Sequence, residues 1–310
     1  MRIYEGIEDF GPVTNPVVTS GTFDGVHLGH QKILHRIRTI ADEIGGETVL
    51  ITFWPHPRLV LYPTEHKLKL LSTFEEKTKL LRQFGIDHLI TIPFTKEFSE
   101  LSSEDFIQKI IIDKIQTRKL VIGYDHRFGK NREGGFDYLK ENIQNYAFEL
   151  EEISREDVEN VGVSSTKIRH ALEVGKVHIA NDYLGRDYEL NGIIIKGQQL
   201  GRSIGFPTAN IHVPNDYKLI PSDGAYAVEV IVEGEGFNGM LNIGNRPTVN
   251  GNSRSIEVNL FDFEGDLYDK RITVLIKEYL RPETKFGGLE ELKSQLKSDR
   301  EKAISILTQK

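Results

Sequence analysis

Two histidines set among glycines form the stretch of this sequence best suited to bind a phosphate group. They are His27 and His30, in the segment 21–30 that reads Gly-Thr-Phe-Asp-Gly-Val-His-Leu-Gly-His. An apolar run precedes this segment and a periodic apolar pattern follows it, which predicts a strand, a glycine-rich turn and a helix start. Such a start offers unpaired N–H groups and a favourable dipole to an anion, and glycines let the backbone approach it. The alternative is a pair of ordinary polar or core histidines; a metal site would need a third ligand.

A second candidate for phosphate binding is the segment from Ser164 to Arg169, which reads Ser-Ser-Thr-Lys-Ile-Arg. Hydroxyl side chains before an apolar helical pattern are typical of a helix N-cap, and that simpler interpretation stays open. The functional interpretation adds a helix N-terminus, Lys167 and Arg169, which together suit a polyphosphate.

Near residue 200 the sequence Gly-Arg-Ser-Ile-Gly-Phe-Pro-Thr-Ala-Asn, residues 201–210, combines glycines with oxygen-bearing side chains. Pro207 favours an extended backbone, so Thr208 and Asn210 are expected to project to the same side. A hydroxyl and an amide carbonyl are suitable ligands for Mg²⁺, which retains waters and phosphate oxygens. Gly201 and Gly205 could wrap phosphates. An ordinary surface loop has a similar composition and is the alternative.

One acidic residue stands out in the alternating segment 255–263. Ile256, Val258 and Leu260 share one face of the predicted strand, and Glu257 lies on the other. An acidic residue opposite a packed face is commonly just solvated. It can also act as a general base that takes a proton from an attacking hydroxyl.

The first half of the chain alternates helical and strand-like segments, which predicts a mostly parallel sheet with helices on both faces. Ligands of such folds bind beyond the carboxyl ends of strands, where the noteworthy residues of this half fall. The predicted segments are a helix over 31–46, a strand over 48–53, a helix opening with a capping box at Thr73, a strand over 88–92, a helix over 103–112 and a strand over 120–123.

The second half is rich in strands and ends in a helical pattern of leucines. Five or six antiparallel strands separated by turn residues predict a small closed barrel capped by a C-terminal helix. We place the domain boundary near residue 185, which gives domains of residues 1–185 and 186–310. The predicted strands are 190–196, 225–233, 239–243, 255–263 and 271–279.

Composition excludes several functions. The 310 residues are 38% hydrophobic and 27% charged with a net charge of −7, which suits a globular protein without broad attraction to nucleic acid or membrane. Cysteine is absent, so thiolate catalysis and disulfides are excluded, and the cytoplasm is the expected compartment. The N-terminus lacks the apolar stretch of a signal peptide, and no window approaches a membrane span. A homo-oligomer stays open.

The histidine pair and the Ser164–Arg169 segment together resemble the nucleotidyltransferase superfamily with an HxGH-type signature. The longer pattern, with Pro55-His56-Pro57 and Gly129-Lys130, resembles the adenylylating half of bacterial FAD synthetases. The resemblance implies a Rossmann-like domain in which FMN attacks the α-phosphate of ATP directly, with Mg²⁺ present. It assigns catalysis to His27, His30 and Arg169; ATP or phosphate binding to Gly21, Phe23, Asp24, Gly25, Gly29, Ser164, Ser165, Thr166 and Lys167; and flavin binding to Pro55, His56, Pro57, Asp125 and Phe128.

One loop departs from that family. Members often carry Asp-Phe-x-Phe-Gly where this chain has Asp125-His126-Arg127-Phe128-Gly129.

The motifs of the second half closely resemble riboflavin kinase. They are Pro207–Asn210, Glu257, residues 221–227, residues 242–248 and residues 281–283. The resemblance implies that Thr208 and Asn210 bind Mg²⁺–ATP, with Gly201 and Gly205 at the phosphates. It further implies that Glu257 deprotonates the ribityl 5′-hydroxyl of riboflavin and that Arg281 lies by the flavin.

Together the two resemblances cover nearly the whole chain and predict two consecutive activities. Riboflavin and ATP would give FMN and ADP in the second domain, and FMN and ATP would give FAD and pyrophosphate in the first. Two alternatives stay open. The first domain could transfer AMP or CMP to another acceptor, or the chain could be a flavin-binding sensor or carrier without turnover.

Overall fold

The computed structural model describes residues 1–62, 68–153, 162–197, 205–248 and 251–308. The chain divides into two compact units, Met1–Ser165 and Thr166–Lys310. The domain boundary near residue 185 stays a prediction. Across the described part of the chain, no helix combines the length and the apolar character that crossing a membrane requires.

The first unit contains a six-stranded parallel sheet with the strand order β1-β4-β3-β2-β5-β6. The prediction of an α/β fold with a parallel sheet is therefore confirmed. From β2 the chain runs outward in one direction through β3 and β4, and then returns to place β5 on the other side of β2. The order thus reverses between β2 and β5, where ligands of open α/β sheets bind. The strands are β1 (Arg2–Glu5), β2 (Val17–Ser20), β3 (Thr48–Trp54), β4 (His88–Pro93), β5 (Lys119–Gly123) and β6 (Glu149–Ile153).

Helices connect these strands, and local signals fix several of their ends. Gly45 ends the first helix in the left-handed conformation, and Thr73 and Glu76 form the predicted capping box. The described helices are α1 (Leu28–Ile44), α2 (Pro57–Leu61), α3 (Phe74–Gln83), α4 (Lys96–Ser99), α5 (Ser103–Asp105), which continues as a π-helix (Phe106–Lys114), and α6 (Phe136–Asn142), with 3₁₀ turns at Lys130–Arg132 and Ile143–Asn145.

Apolar side chains pack on both faces of the sheet because successive strand residues point to opposite sides. Val17 lies in the cluster that contains Leu34 and Ile37 of α1. The next residue, Val18, lies in the cluster that contains Ile107 and other residues of the π-helix. The two layers hold the carboxyl ends of β2, β3 and β5 in fixed positions.

The second unit begins with two helices and continues into a closed antiparallel barrel with the order β10-β11-β8-β7-β12-β9. The predicted small barrel with a terminal helix is confirmed. Its elements are α7 (Ser165–Glu173), α8 (Val177–Leu184), β7 (Tyr188–Ile195), β8 (Ala209–His212), β9 (Gly224–Val232), β10 (Glu235–Thr248), β11 (Gly251–Leu260), β12 (Arg271–Arg281) and α9 (Leu289–Thr308).

Strand β8 is the shortest of the barrel and separates β7 from β11. It pairs with β11 through Asn210↔Glu257 and Ala209↔Val258. Helix α9 packs on the outside of the barrel, where Ala303 joins a cluster with Ala227 and Met240.

Candidate active sites

The glycine-histidine turn lies between the carboxyl end of β2 and the start of α1, as predicted. Two of its residues other than glycine have positive φ angles, 48° at Phe23 and 40° at Val26. Both side chains are buried in the core beneath the turn, at 2% and 0% exposure. Such backbone conformations persist only where the surroundings enforce them. Phe23 therefore anchors the turn in the core, and its predicted contact with phosphate stays a prediction.

The two histidines lie against each other at the start of α1. Their rings stack with centroids 3.7 Å apart and planes inclined by 15°. His27 is the N-cap of the helix, and its Nδ1 accepts the backbone N–H of His30 at 3.4 Å. Gly29 is buried between them in the first turn. The structure thus brings both imidazoles to one helix N-terminus, which is the arrangement that anion binding requires.

His30 is electrostatically unusual. Burial holds its pKa well below the ordinary value of 6.5, and the positive charges of His27 and Lys77 lower it further. Its Nδ1 is buried and, within the described residues, has no hydrogen-bond partner. The free protein therefore holds His30 as a neutral imidazole whose buried Nδ1 has no partner among the described residues.

Asp24 holds the turn in place through its carboxylate. The oxygens accept the backbone N–H of Leu71 at 3.0 and 3.1 Å and that of Ser72 at 3.1 Å. The side chain is only 4% exposed. The carbonyl oxygen of Asp24 also accepts the hydroxyl of Ser165 at 3.0 Å. Ser165 is thus brought to the turn, while the predicted phosphate contact of the Asp24 carboxylate stays a prediction.

The rest of the Ser164–Arg169 motif lies at the start of helix α7, as the N-cap signal predicts. Thr166 and Lys167 are exposed, and Arg169 is buried. From Thr166 onward these residues belong to the second unit. Their roles at the phosphates stay predictions.

Lys77, a lysine of α3 that is only 5% exposed, was not predicted as a site residue. Its ammonium donates to the carbonyl of Thr22 at 3.2 Å and to the hydroxyl of Thr52 at 3.0 Å. Burial lowers the pKa of this lysine to about 8, although the Asp24 carboxylate acts in the opposite direction. One signal could have found it: Lys77 lies three and four residues before Leu80 and Leu81, and therefore on the apolar face of its helix.

The segment Pro55-His56-Pro57 follows β3 and begins α2. The Trp54–Pro55 peptide is cis, and the Nδ1 of His56 accepts the N–H of Arg58 at 3.2 Å as the helix N-cap. His56 also lines a small cavity of about 10 Å³ together with residues of the turn, of β3 and of α3. The cavity-lining residues are Thr22, Asp24, Phe53, Trp54, His56, Leu70, Ser72 and Lys77.

The loop after β5 places His126 where the order of the strands reverses. Its Nε2 lies 2.9 Å from the hydroxyl of Ser20, the last residue of β2. Burial, with the charges of Arg132 and Arg127, lowers the pKa of His126 to about 4, so this imidazole is neutral near pH 7. Phe128 is buried against Phe106, whereas Asp125 is exposed. The flavin contacts of both residues stay predictions.

In the second unit, the predicted metal ligands and the predicted base lie together. Thr208 donates its hydroxyl to the Oε2 of Glu257 at 3.0 Å, and Asn210 is the cross-strand partner of Glu257. Gly197 leaves room for this group, since a Cβ there would lie 2.0 Å from the Nδ2 of Asn210. Gly205 adopts a left-handed conformation with φ of 82°. Gly201 lies outside the described residues.

The side-chain oxygens of Thr208 and Asn210, the predicted metal ligands, are of the kind that binds Mg²⁺. This hard cation prefers carboxylate, carbonyl and hydroxyl oxygens and needs few of them from the protein. Clusters of three or more His, Asp or Glu residues arranged for a metal are absent from the described parts of the chain. Binding of Mg²⁺ by Thr208 and Asn210 stays a prediction.

Arg281, the predicted flavin neighbour, is held by a buried carboxylate of α9. Its Nε and Nη2 contact the carboxylate of Asp299 at 2.9 and 2.8 Å, and its Nη1 donates to the carbonyl of Pro282 at 3.0 Å. The side chain of Asp299 is 1% exposed and that of Arg281 is 15% exposed. This pair fixes the end of β12 to the terminal helix. Whether Arg281 also contacts a flavin stays a prediction.

We expect Asp299→Asn to lower the free energy of unfolding by about 3 kcal/mol, because it leaves the arginine charge largely buried without its partner. The matched control is Asp262→Asn, which breaks the exposed contact of Asp262 with Arg300 on the same helix. That change should cost less than about 1 kcal/mol. Urea unfolding of both variants measures the difference, and equal midpoints would contradict a stabilising role for the buried pair.

Comparison with known protein families gives two matches that follow the two halves of the chain. A family model described as FAD synthetase matches residues 12–167, and one described as riboflavin kinase matches residues 184–307. The first match contains the glycine-histidine turn and the loop after β5. The second contains Thr208, Asn210 and Glu257.

Several curated proteins named bifunctional riboflavin kinase/FMN adenylyltransferase are similar to this chain over nearly its whole length. The Pseudomonas fluorescens protein is 36% identical over 96% of both chains. The Bacillus subtilis protein is 38% identical over 93% of this chain and 91% of its own. The Escherichia coli K12 protein is 35% identical over 96% of both.

A solved structure described as a macrolide-efflux protein from Streptococcus pneumoniae is also similar to this chain. It covers 97% of both chains with a TM-score of 0.88 and 29% identity.

Proposed function

Since the chain belongs to the family of bifunctional riboflavin kinase/FMN adenylyltransferases, we propose that it makes FMN from riboflavin and FAD from FMN, each time with ATP. Residues 186–310 carry the kinase step and residues 1–185 the adenylyl transfer. The observation that carries the kinase proposal is the contact of Thr208 with Glu257 beside Asn210. The cytoplasm supplies both ATP and riboflavin, and we place the protein there.

In the kinase step, Glu257 accepts the proton of the ribityl 5′-hydroxyl while that oxygen attacks the γ-phosphate of ATP. The hydroxyl of Thr208 already donates to this carboxylate, which fixes the direction in which its oxygens point. A base within hydrogen-bond reach of the attacking hydroxyl contributes about 10²- to 10⁴-fold to such a reaction. The products are FMN and ADP.

The ATP enters this site as its magnesium complex, and the residues present fit that substrate. Thr208 and Asn210 supply neutral oxygens for the cation, and Gly201 and Gly205 allow the backbone to approach the phosphates. When bound, the magnesium ion neutralises the charge that develops on the phosphate oxygens. The protein itself contributes the orientation of the two substrates.

In the adenylyl transfer, the phosphate oxygen of FMN attacks the α-phosphate of ATP and pyrophosphate leaves. The backbone of Gly21, Gly25 and Gly29, with the N-terminus of α1, surrounds the phosphates, and His27 and His30 stabilise the charge that develops there. In the free protein His30 is a neutral imidazole, since its pKa lies well below 6.5, and a neutral imidazole can still donate a hydrogen bond to a phosphate oxygen. Ser164, Ser165, Thr166, Lys167 and Arg169 add hydroxyls and positive charge.

The flavin contacts complete the proposal. Pro55, His56 and Pro57 after β3, with Asp125 and Phe128 after β5, would receive the flavin end of FMN in the first domain. Arg281 would lie near riboflavin in the second. These assignments rest on the resemblance of the segments to the family motifs and on their positions at strand ends.

Incubation of the purified protein with riboflavin, ATP and Mg²⁺, followed by chromatography of the flavins, tests the function. We expect FMN to appear first and FAD to follow, because the product of one step is the substrate of the other. FMN without FAD would support a kinase whose first domain modifies another acceptor, and FMN offered with ATP or CTP would then test that domain alone. Flavin binding without ATP consumption would overturn the proposal in favour of a carrier.

A further inference from the structure

A buried ammonium group lies beneath the glycine-histidine turn. Lys77 extends from α3 to the carboxyl end of β3, where Thr52 is fully buried. Burial removes the hydration of a lysine's charge, which is unfavourable, so lysines are rarely found in a core unless they are paired. This one is held by two neutral acceptors, a backbone carbonyl and a hydroxyl.

The first acceptor belongs to the turn itself. Thr22 lies between Gly21 and Phe23, and the Phe23 ring contacts the His30 ring with centroids 4.9 Å apart. The hydrogen bonds of Lys77 thus join the backbone of the turn to the end of β3. A lysine has three N–H donors, and within the described residues two of them have these partners.

We propose that Lys77 is a positioning residue of the adenylyl-transfer site, which ties the Thr22 carbonyl of the turn to Thr52 and places a buried positive charge beside His30 and the phosphate-binding turn. The proposal rests on the function proposed above. Lys77 lies in none of the sequence motifs. Its charge acts on the geometry and electrostatics of the turn, and not through direct contact with the reacting atoms.

Three ionisable groups from three other elements surround this lysine. Asp24 of the turn attracts its charge, and His30 of α1 is disfavoured as a cation by it. His56, which precedes α2, lines the same cavity. Because burial lowers the pKa of Lys77 to about 8, the positive charge is present at pH 7 and is lost as the pH rises through about 8.

The only tryptophan of the chain provides a direct readout of this charge. The Nζ of Lys77 lies 5.8 Å from the centre of the Trp54 ring. A change in the charge of the ammonium group should therefore change the fluorescence of Trp54. The measurement needs no substrate, so it tests the placement of Lys77 even if the protein makes no FAD.

The experiment compares the wild type with Lys77→Met, Lys77→Arg and Thr52→Val. We expect Lys77→Met to lower kcat/KM for conversion of FMN to FAD by about 100-fold at pH 7, since small displacements of binding groups have effects of this size. The wild type should lose activity above pH 8 and approach the activity of Lys77→Met; this decrease is the alkaline limb of its pH profile. Lys77→Arg should lack the alkaline limb, because arginine stays charged. Thr52→Val should keep the alkaline limb, because it removes one hydrogen bond of Lys77 and leaves the charge of the lysine.

Tryptophan fluorescence without substrates should show a transition near pH 8 in the wild type and none in Lys77→Met. Riboflavin phosphorylation by the same samples controls for folding and should remain unchanged in each variant. The proposal is overturned if Lys77→Met matches the wild type at pH 7 or keeps the alkaline limb. It is also overturned if FMN and FAD formation fall together, which would indicate lost stability alone.

Discussion

The Glu257→Gln variant should lose FMN formation almost completely and still convert added FMN to FAD. Glutamine has nearly the size of glutamate, and its amide oxygen can still accept the hydroxyl of Thr208, which lies 3.0 Å from the carboxylate. It cannot take a proton from riboflavin. Removing a general base should therefore lower kcat for riboflavin phosphorylation by about 10²- to 10⁴-fold, with little change in KM.

Chromatography of two reactions on one sample measures this effect, one with riboflavin and the other with FMN. Glu264→Gln serves as the matched control, because that exposed glutamate lies beyond the end of β11. It should behave as the wild type in both reactions. Wild-type FMN formation by Glu257→Gln would exclude this residue as the base, and loss of both activities in it would exclude independent sites.

The His30→Ala variant should show the opposite defect and accumulate FMN from riboflavin. Removal of one group that stabilises charge at a reacting phosphate lowers the rate by about 10²- to 10³-fold. His30 is a better choice than His27 because His27 caps helix α1 with its side chain, so its loss would also affect the helix. Alanine at position 30 keeps the backbone N–H that His27 accepts.

His35→Ala is the control for this experiment. His35 lies on the same helix, but its side chain is exposed and contacts Phe84 rather than the turn. FMN should reach FAD in that variant at the rate of the wild type. Normal FAD formation by His30→Ala would show that the imidazole is dispensable and would leave only the backbone of the turn as a phosphate-binding element.

Much of the fold followed from local patterns. The capping box at Thr73 and the glycine after α1 mark helix ends that do not depend on distant contacts. The alternation in segment 255–263 predicted the burial of Ile256 and Val258, whereas Leu260 of the same predicted face is half-buried and Asn259 of the other face is buried. These features were predictable because propensity, capping and hydrophobic period all agree there.

Strand β6 was not predicted, and its sequence explains why. It reads Glu-Leu-Glu-Glu-Ile, with three acidic residues among five, which does not look like a strand beside a buried sheet. The charges are matched by residues distant in sequence: Glu151 contacts Arg36 and Lys119, and Glu149 contacts Arg118. Only the assembled sheet provides these partners, so no local pattern could reveal the strand.

For the candidate sites too, local patterns in the sequence identified some residues and not others. Residues near one another in sequence, such as His27 and His30 or Thr208 and Asn210, were found from their spacing. Lys77 and Asp299 were not, because a charged residue in a helical pattern ordinarily indicates the solvent side. Both are buried by partners far away in sequence or on another element, Thr22 and Thr52 for the lysine and Arg281 for the aspartate.

The short strand β8 has a consequence for how the barrel opens. Among the described residues, its ladder to β11 consists of two residue pairs and its ladder to β7 of three, whereas β10 and β11 share ten. Local unfolding proceeds where the fewest backbone hydrogen bonds must break. The seam that β8 forms with β7 and β11 should therefore be the least protected part of the barrel against amide exchange. Thr208, Asn210 and Glu257 lie along that seam. If these residues hold the substrate as we propose, its binding should increase the protection of β8 against amide exchange.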